Sequence, residues 1–162
     1  MSAHQSPPRS AAEQGKLEDA LRELIEQRIA FNQLLGLELK SLAPESLRVE
    51  FEMRPELVGH FLYGRLHGGV ISATLDVTGA LALMVLLSQK HPADTAAQVM
   101  ARFAKFGTID LRVDFLRPGL GRRFHATATV TRLGARVGST QMRLENDEGT
   151  LIATAAAAYV LS

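Results

Sequence analysis

The sequence predicts one α+β domain in which an antiparallel sheet wraps around a long central helix, and three features predict it. Val70 to Leu87 is a helix-length run that is apolar nearly all round. After Gly107 most of the chain alternates apolar and polar residues with a period of two. Short turn signals punctuate that region at Pro118-Gly119, at Gly134 and from Asn146 to Gly149. Strands joined by tight turns form an antiparallel meander, and a helix without a polar face must be surrounded, so it lies across the concave face of the sheet.

Each element follows in order. Residues 1–15 are polar, contain Pro7-Pro8 and lack the apolar run of a secretory signal, which predicts a disordered lead-in before a domain spanning 16–162. From Lys16 to about Leu35, Leu17, Leu21, Leu24, Ile25 and Ile29 recur at three- and four-residue spacing, which predicts an amphipathic helix stopped at Gly36. Leu37 and Leu39, then Leu47, Val49, Phe51 and Met53, predict two strands joined at Ala43-Pro44-Glu45. Pro55 to Leu66 reads as a loop. The apolar helix follows and ends at Lys90-His91-Pro92, because proline cannot continue the hydrogen-bonding ladder. Residues 93–106 read as a short helix or a flap. Four strands complete the chain: Ile109, Leu111, Val113 and Phe115 against Thr108, Asp110, Arg112 and Asp114; then runs around Phe124–Val130 and Thr140–Glu145, and an apolar strand to Leu161.

Composition excludes several classes. At 162 residues the chain can bury its core without disulfides. Eighteen basic against seventeen acidic residues argue against coating nucleic acid, and the absence of cysteine removes a thiolate nucleophile and a Cys-based zinc site. Neither a metal nor a cofactor is expected, and a cytoplasmic location suits a cysteine-free chain. The apolar run approaches membrane-spanning length, but an aspartate at mid-membrane costs roughly 2.5 to 3.5 kcal/mol, and Ser72, Thr74, Asp76, Thr78 and Gly79 interrupt it. A buried helix in a soluble core is therefore expected.

The residues that carry chemistry are Gly64-Arg65-Leu66-His67-Gly68-Gly69-Val70, then Leu75-Asp76-Val77, with Asp76 nine positions after His67. Where a helix begins at two glycines, the first backbone N–H groups lack intrahelical partners and carry partial positive charge, so they can polarise a substrate carbonyl. Gly69 N–H is the expected oxyanion donor and Gly68 keeps side chains out of the substrate's way; the same glycines would also suit helix-on-strand packing. Asp76 is the only charged residue from Gly68 through Gln89. A lone carboxylate in an apolar helix costs energy unless it is partnered or used, and hydrolysis of an acyl group can use one that attacks directly or takes a proton from water. His67 is expected to cap or shape the turn rather than act as a base. Thr78, two residues beyond Asp76, either orients water or bonds its own helix.

With the later strand Thr108-Ile109-Asp110-Leu111-Arg112-Val113-Asp114-Phe115-Leu116-Arg117-Pro118-Gly119, this constellation resembles the hotdog acyl-CoA thioesterases of the PaaI-like and YigI-like group, from about residue 30 to the C-terminus. The resemblance implies the hotdog fold, an acyl-CoA substrate, and a homodimer, or a dimer of dimers, whose sites take the glycine turn from one subunit and the aspartate from the other. Many members carry an asparagine in the loop before the glycines; here Gly59-His60-Phe61 stands there, and His60 is the expected substitute donor. Phe61, with Leu81, Leu83 and Met84, is expected at the floor of an acyl pocket suited to medium or long chains. No acidic residue lies between Asp114 and Glu145 while six arginines do, and Arg117, Arg122 and Arg123, around one turn, are the expected contacts to coenzyme A phosphates; a solvated basic face is the plainer reading.

Two other functions compete. Gly59-His60-Phe61 is similar to the catalytic loop of hotdog (3R)-hydroxyacyl thioester dehydratases, but aligning Gly69-Val70 with the start of their helix puts Thr74 where they carry an acid. A non-catalytic acyl-CoA sensor would need a DNA-binding module, and the segment before the fold offers one helix, not a helix-turn-helix. A pure binder also has no use for Asp76.

Overall fold

The computed structural model describes residues 7–161. Helix α1, Ala11–Glu23, starts five residues earlier than the spacing predicts, because Ser10 caps it by accepting from Glu13 N–H at 3.2 Å. The expected lead-in thus loses residues 11–15 to a helix; residues 1–6 lie outside the described residues. Arg9 ties the start of this helix down by donating to the carbonyls of Ser88, His91 and Asp94. Leu17 and Leu21 are buried, a π-helical turn at Leu24–Arg28 buries Ile25, and helix α2, Ala30–Leu35, ends at Gly36 with φ 69°, a left-handed cap that suits glycine.

Strands β1, Glu38–Ser41, and β2, Arg48–Glu52, follow as expected. The predicted loop before the glycines is more ordered than its composition suggests: a 3-10 turn at Pro55–Leu57 leads into a small hairpin of β3, Val58–His60, and β4, Arg65–Leu66. Helix α3 runs Gly68–Lys90. The ambiguous segment resolves into helix α4, Ala96–Phe103, started by a capping box in which Thr95 and Gln98 satisfy each other's backbone N–H groups. Four strands end the chain: β5 Gly107–Phe115, β6 Arg123–Leu133, β7 Val137–Asn146 and β8 Leu151–Val160.

Six strands form one antiparallel sheet in the order β1-β2-β6-β7-β8-β5, so β5 is a long open edge. The expected α+β architecture holds, with α3 laid on the sheet chiefly against β6 and β7. Leu75, Leu81 and Leu83 are fully buried between them, each contributing roughly 1.5 to 3 kcal/mol by leaving water. Phe51 stacks on Phe124 at 5.3 Å beneath the helix. The helix approaches the sheet closely at Gly79, where a Cβ would sit 2.4 Å from Tyr159 Oη and 2.7 Å from Thr140 Oγ1.

One departure from simple alternation matters for the site. The pairing of β5 with β8 shifts between Thr108 and Asp110, leaving Ile109 as the extra residue of a β-bulge. A bulge reverses the side-chain parity on one side of itself. Thr108, which alternation puts on the wet face with Asp110 and Arg112, is turned toward α3 instead.

Candidate active site

The glycine turn at the start of α3 is held from several directions. His67 N–H donates to Leu57 O at 2.8 Å, and Leu66 N–H donates to Gly119 O at 2.9 Å. Strand β3 passes so close that a Cβ on Gly59 would lie 2.4 Å from His67 Cα. His67 is the cap residue, with extended backbone (φ −67°, ψ 136°), and its Nδ1 accepts from Gly69 N–H at 2.8 Å. The capping role expected of His67 is what the geometry shows. The same bond corrects the expectation for Gly69: its N–H is occupied, and it reaches a substrate only if the imidazole moves aside. Gly68 N–H has no intrahelical partner, and a Cβ on Gly68 would meet the Phe115 ring at 3.4 Å.

Asp76 sits two turns further along, on the open side of α3, half-buried. Thr108 Oγ1 donates to its Oδ1 at 2.9 Å and lies 3.2 Å from Oδ2. From below, Tyr159 donates its hydroxyl to the backbone carbonyl of Asp76 at 3.0 Å. Burial of Tyr159, and next the negative charge of Asp76, hold its phenol proton well above the ordinary range. One side of the carboxylate is thus oriented by a hydroxyl, while its helix turn is pinned to the sheet. Thr108 and Tyr159 were not singled out from the sequence. The bulge hid the first, and the second stands in an apolar strand that reads only as core.

Other expected site residues fall elsewhere. Thr78 is fully buried and its hydroxyl donates to Thr74 O at 2.7 Å, so it cannot orient water. Leu81 and Leu83 are core, whereas Met84 is half-exposed. Thr74, the position a dehydratase's acid would take, is fully buried and bonded to Val70 O. His60 stacks between Phe61 and Tyr63 in the β3–β4 hairpin, with its Nδ1 buried and unpartnered, and makes no hydrogen bond to Asp76 or to the glycine turn among the described residues. Phe61, at the hairpin tip, is 86% exposed.

The arginines divide. Arg117 joins Arg65, Gly68, Ile71 and Phe115 around a hollow of about 400 Å³ at the positive end of α3, where an anionic group is favoured. Arg122 and Arg123 face a different hollow and are paired with Asp147 and Glu52 at 3.5 and 2.8 Å. Their charges are partly satisfied there, and the expectation that they share a phosphate site with Arg117 is corrected. Arg65 was missed because it reads as part of a loop. Among the described residues no three His, Asp or Glu side chains cluster with the spacing of a metal site.

Gly69 and Asp76 point to the same side of α3 but are seven residues apart, about 10 Å along the axis at 1.5 Å per residue. A single carbonyl cannot touch both within one chain. What one chain offers is therefore two halves: an electropositive glycine turn beside Arg65 and Arg117, and an oriented carboxylate beside Thr108.

The chain is 37% identical over 139 residues to the medium/long-chain acyl-CoA thioesterase YigI of Escherichia coli K12, covering 86% of this chain and 90% of that one. YigI of Salmonella typhimurium matches to the same extent. A crystal structure of a Shewanella oneidensis protein related to the thioesterase superfamily superposes with a TM-score of 0.87 at 36% identity, covering 95% of this chain and all of that one. A Syntrophus aciditrophicus structure gives 0.82 at 35%, with 94% and full coverage. The profile of the thioesterase superfamily matches residues 63–153, which include the glycine turn, Asp76 and Thr108, and with that the chain belongs to the thioesterase superfamily, with the hotdog fold of its relatives.

Proposed function

We propose that this protein hydrolyses medium- or long-chain acyl-CoA thioesters to the free acid and coenzyme A, in a homodimer whose two sites each combine the glycine turn of one subunit with Asp76 of the other. The carrying observation is the separation of about 10 Å between Gly69 and Asp76 along a straight helix. The open β5 edge supplies a way to join them. Two copies of β5 pairing antiparallel about Leu111 put Phe115, which lines the same hollow as Gly68, beside Gly107 and Thr108 of the second copy. Exposed Ile109, Phe115 and Leu116 along that edge favour such cover. The chain length follows YigI, which bears that specificity in its name.

In this site the thioester carbonyl oxygen lies against the backbone N–H groups of Gly68 and Gly69, with His67 turning from its cap as the substrate enters. Arg65 and Arg117 face the phosphates of coenzyme A. Asp76, held by Thr108, takes a proton from the attacking water. In the covalent variant it attacks the carbonyl itself and the resulting anhydride is hydrolysed. In either route the C–S bond breaks, the thiolate leaves and is protonated, and water supplies the acid's oxygen.

The test is thiol release from a panel of acyl-CoAs by wild type, Asp76→Asn, Gly69→Pro and a co-expressed mixture of the two variants. Each variant alone is expected to lose about 100-fold or more in kcat. The mixed dimer regains activity, because one of its sites combines an intact glycine turn with an intact Asp76. Full activity of Asp76→Asn removes the assigned carboxylate, and no recovery in a purified mixed dimer removes the shared site.

A further inference from the structure

Thr108 and Tyr159 are direct partners in the β5–β8 ladder, and both donate to Asp76, Thr108 to the carboxylate and Tyr159 to the backbone carbonyl. Directly paired residues project to the same face of a sheet, so it is the bulge that sets these two hydroxyls side by side beneath α3. The next pair, Asp110 and Ala158, projects to the opposite face, and Ile109 stands between the pairs, 56% exposed. A competing register is close at hand. A slip of one residue would pair Ile109 with Tyr159, bury its side chain under α3 and turn Thr108 outward. Removing an isoleucine from water favours that slip, so the observed register needs something to hold it. Ala158 N–H supplies the fastening: it donates to Asp110 Oδ1 at 3.2 Å. A bulge interrupts the ladder's backbone bonds, and the short aspartate side chain takes up a donor of the very residue it is paired with. Arg112, two residues on, is paired with Asp114 rather than with Asp110. A hollow of about 560 Å³ lies beside Asp110 on the outer face, so packing does not fix its side chain either.

We infer that Asp110 is a positioning residue: by accepting from Ala158 N–H it locks the bulge at Ile109, and through the bulge it keeps the Thr108 hydroxyl on Asp76. The inference rests on Asp76 being the reacting carboxylate and Thr108 its orienting partner. Asp110 itself stays on the far face of the sheet from the reacting groups and acts only through the backbone of β5. A second explanation for an aspartate here is charge: two copies of β5 paired about Leu111 would set Asp110 opposite Arg112 of the second copy. Asparagine separates the two, because its amide oxygen accepts from Ala158 N–H and carries no charge.

The experiment measures kcat for thiol release in wild type, Asp110→Asn, Asp110→Ala, Thr108→Val and the double variant of Asp110→Ala with Thr108→Val, the dimer being followed by size-exclusion chromatography. Asp110→Ala is expected to lower kcat about fivefold or more, the scale of one lost hydrogen bond, while Asp110→Asn stays within about twofold of wild type. The double variant is expected to fall no further than Thr108→Val alone, since both losses act through one hydroxyl. Four results overturn the inference: Asp110→Ala turning over at the wild-type rate, Asp110→Asn falling as far as Asp110→Ala, a double variant that falls by the product of the single losses, or Asp110→Ala failing to dimerise. A crystal structure of Asp110→Ala separates it from the hydrolytic reading. A wild type that releases no thiol refutes hydrolysis, whereas Ile109 paired with Tyr159 and Thr108 turned outward in that crystal still support the lock. Thr108 remaining within hydrogen-bonding distance of Asp76 there refutes it.

Discussion

Replacing Thr108 with valine keeps the shape of the side chain and deletes the hydroxyl that faces Asp76. That hydroxyl donates at 2.9 Å to one carboxylate oxygen and lies 3.2 Å from the other, so its loss frees the carboxylate to leave its orientation. A hydrogen bond to a charged group contributes about 1.5 to 3 kcal/mol, and Thr108 is exposed, which places the effect at the lower end. At about 1.4 kcal/mol per factor of ten, kcat is expected to fall roughly ten- to thirtyfold with a smaller change in KM. Thr108→Ser keeps the donor and is expected to stay within about threefold of wild type. Stability changes by less than about 0.5 kcal/mol in either variant, since no buried packing is lost. Thiol release under saturating acyl-CoA, beside urea unfolding of the same samples, reads both quantities. Thr108→Val turning over at the wild-type rate refutes the assigned role, and Thr108→Ser falling as far as Thr108→Val shows that packing, not the hydroxyl, is what counts.

Two further outcomes follow from the contact beneath the helix. Gly79→Ala gains about 1 kcal/mol of helix propensity but drives a methyl to 2.4 Å from Tyr159 Oη and 2.7 Å from Thr140 Oγ1; overpacking of about 1 to 3 kcal/mol and the disturbed tyrosine bond outweigh the gain, so urea unfolding is expected to show net destabilisation. Tyr159 keeps its proton in the folded state because it is buried and faces the charge of Asp76, whereas the unfolded chain ionises at the ordinary tyrosine value. Its contribution is therefore complete below about pH 10 and is lost as the pH rises toward the folded value, and Tyr159→Phe removes that alkaline dependence from the unfolding free energy.

The long helix and the strands after it were legible because their periods are strong and their ends carry glycine or proline. Asp76 was legible for a different reason: a single charge in an apolar run calls for an explanation at any register. Of the two readings of Thr78 the structure shows the bond within its own helix, and the sequence held the reason: two residues past Asp76 is about 200° round an α-helix, on the opposite side from the carboxylate. The β-bulge at Ile109 inserts one residue into a run whose apolar alternation continues unbroken across it, so no pattern of residue types reveals that Thr108 changes faces. The division of the arginines depended on Asp147 and Glu52, which lie 25 and 71 residues in sequence from their partners Arg122 and Arg123. The start of α1 was misplaced because residues 11–15 are held by a cap and by Arg9, not by an apolar face.

That last anchor has a practical side. Arg9 fastens three carbonyls where α3 gives way to the segment before α4, and two of them belong to His91 and Asp94, which also border a hollow beside α4. An expression clone begun at Lys16, on the view that everything earlier is dispensable tail, would discard both this clasp and the Ser10 cap. It would leave Asp76 and the glycine turn in place while loosening the join between α3 and α4, so its stability would be a poor guide to that of the longer chain.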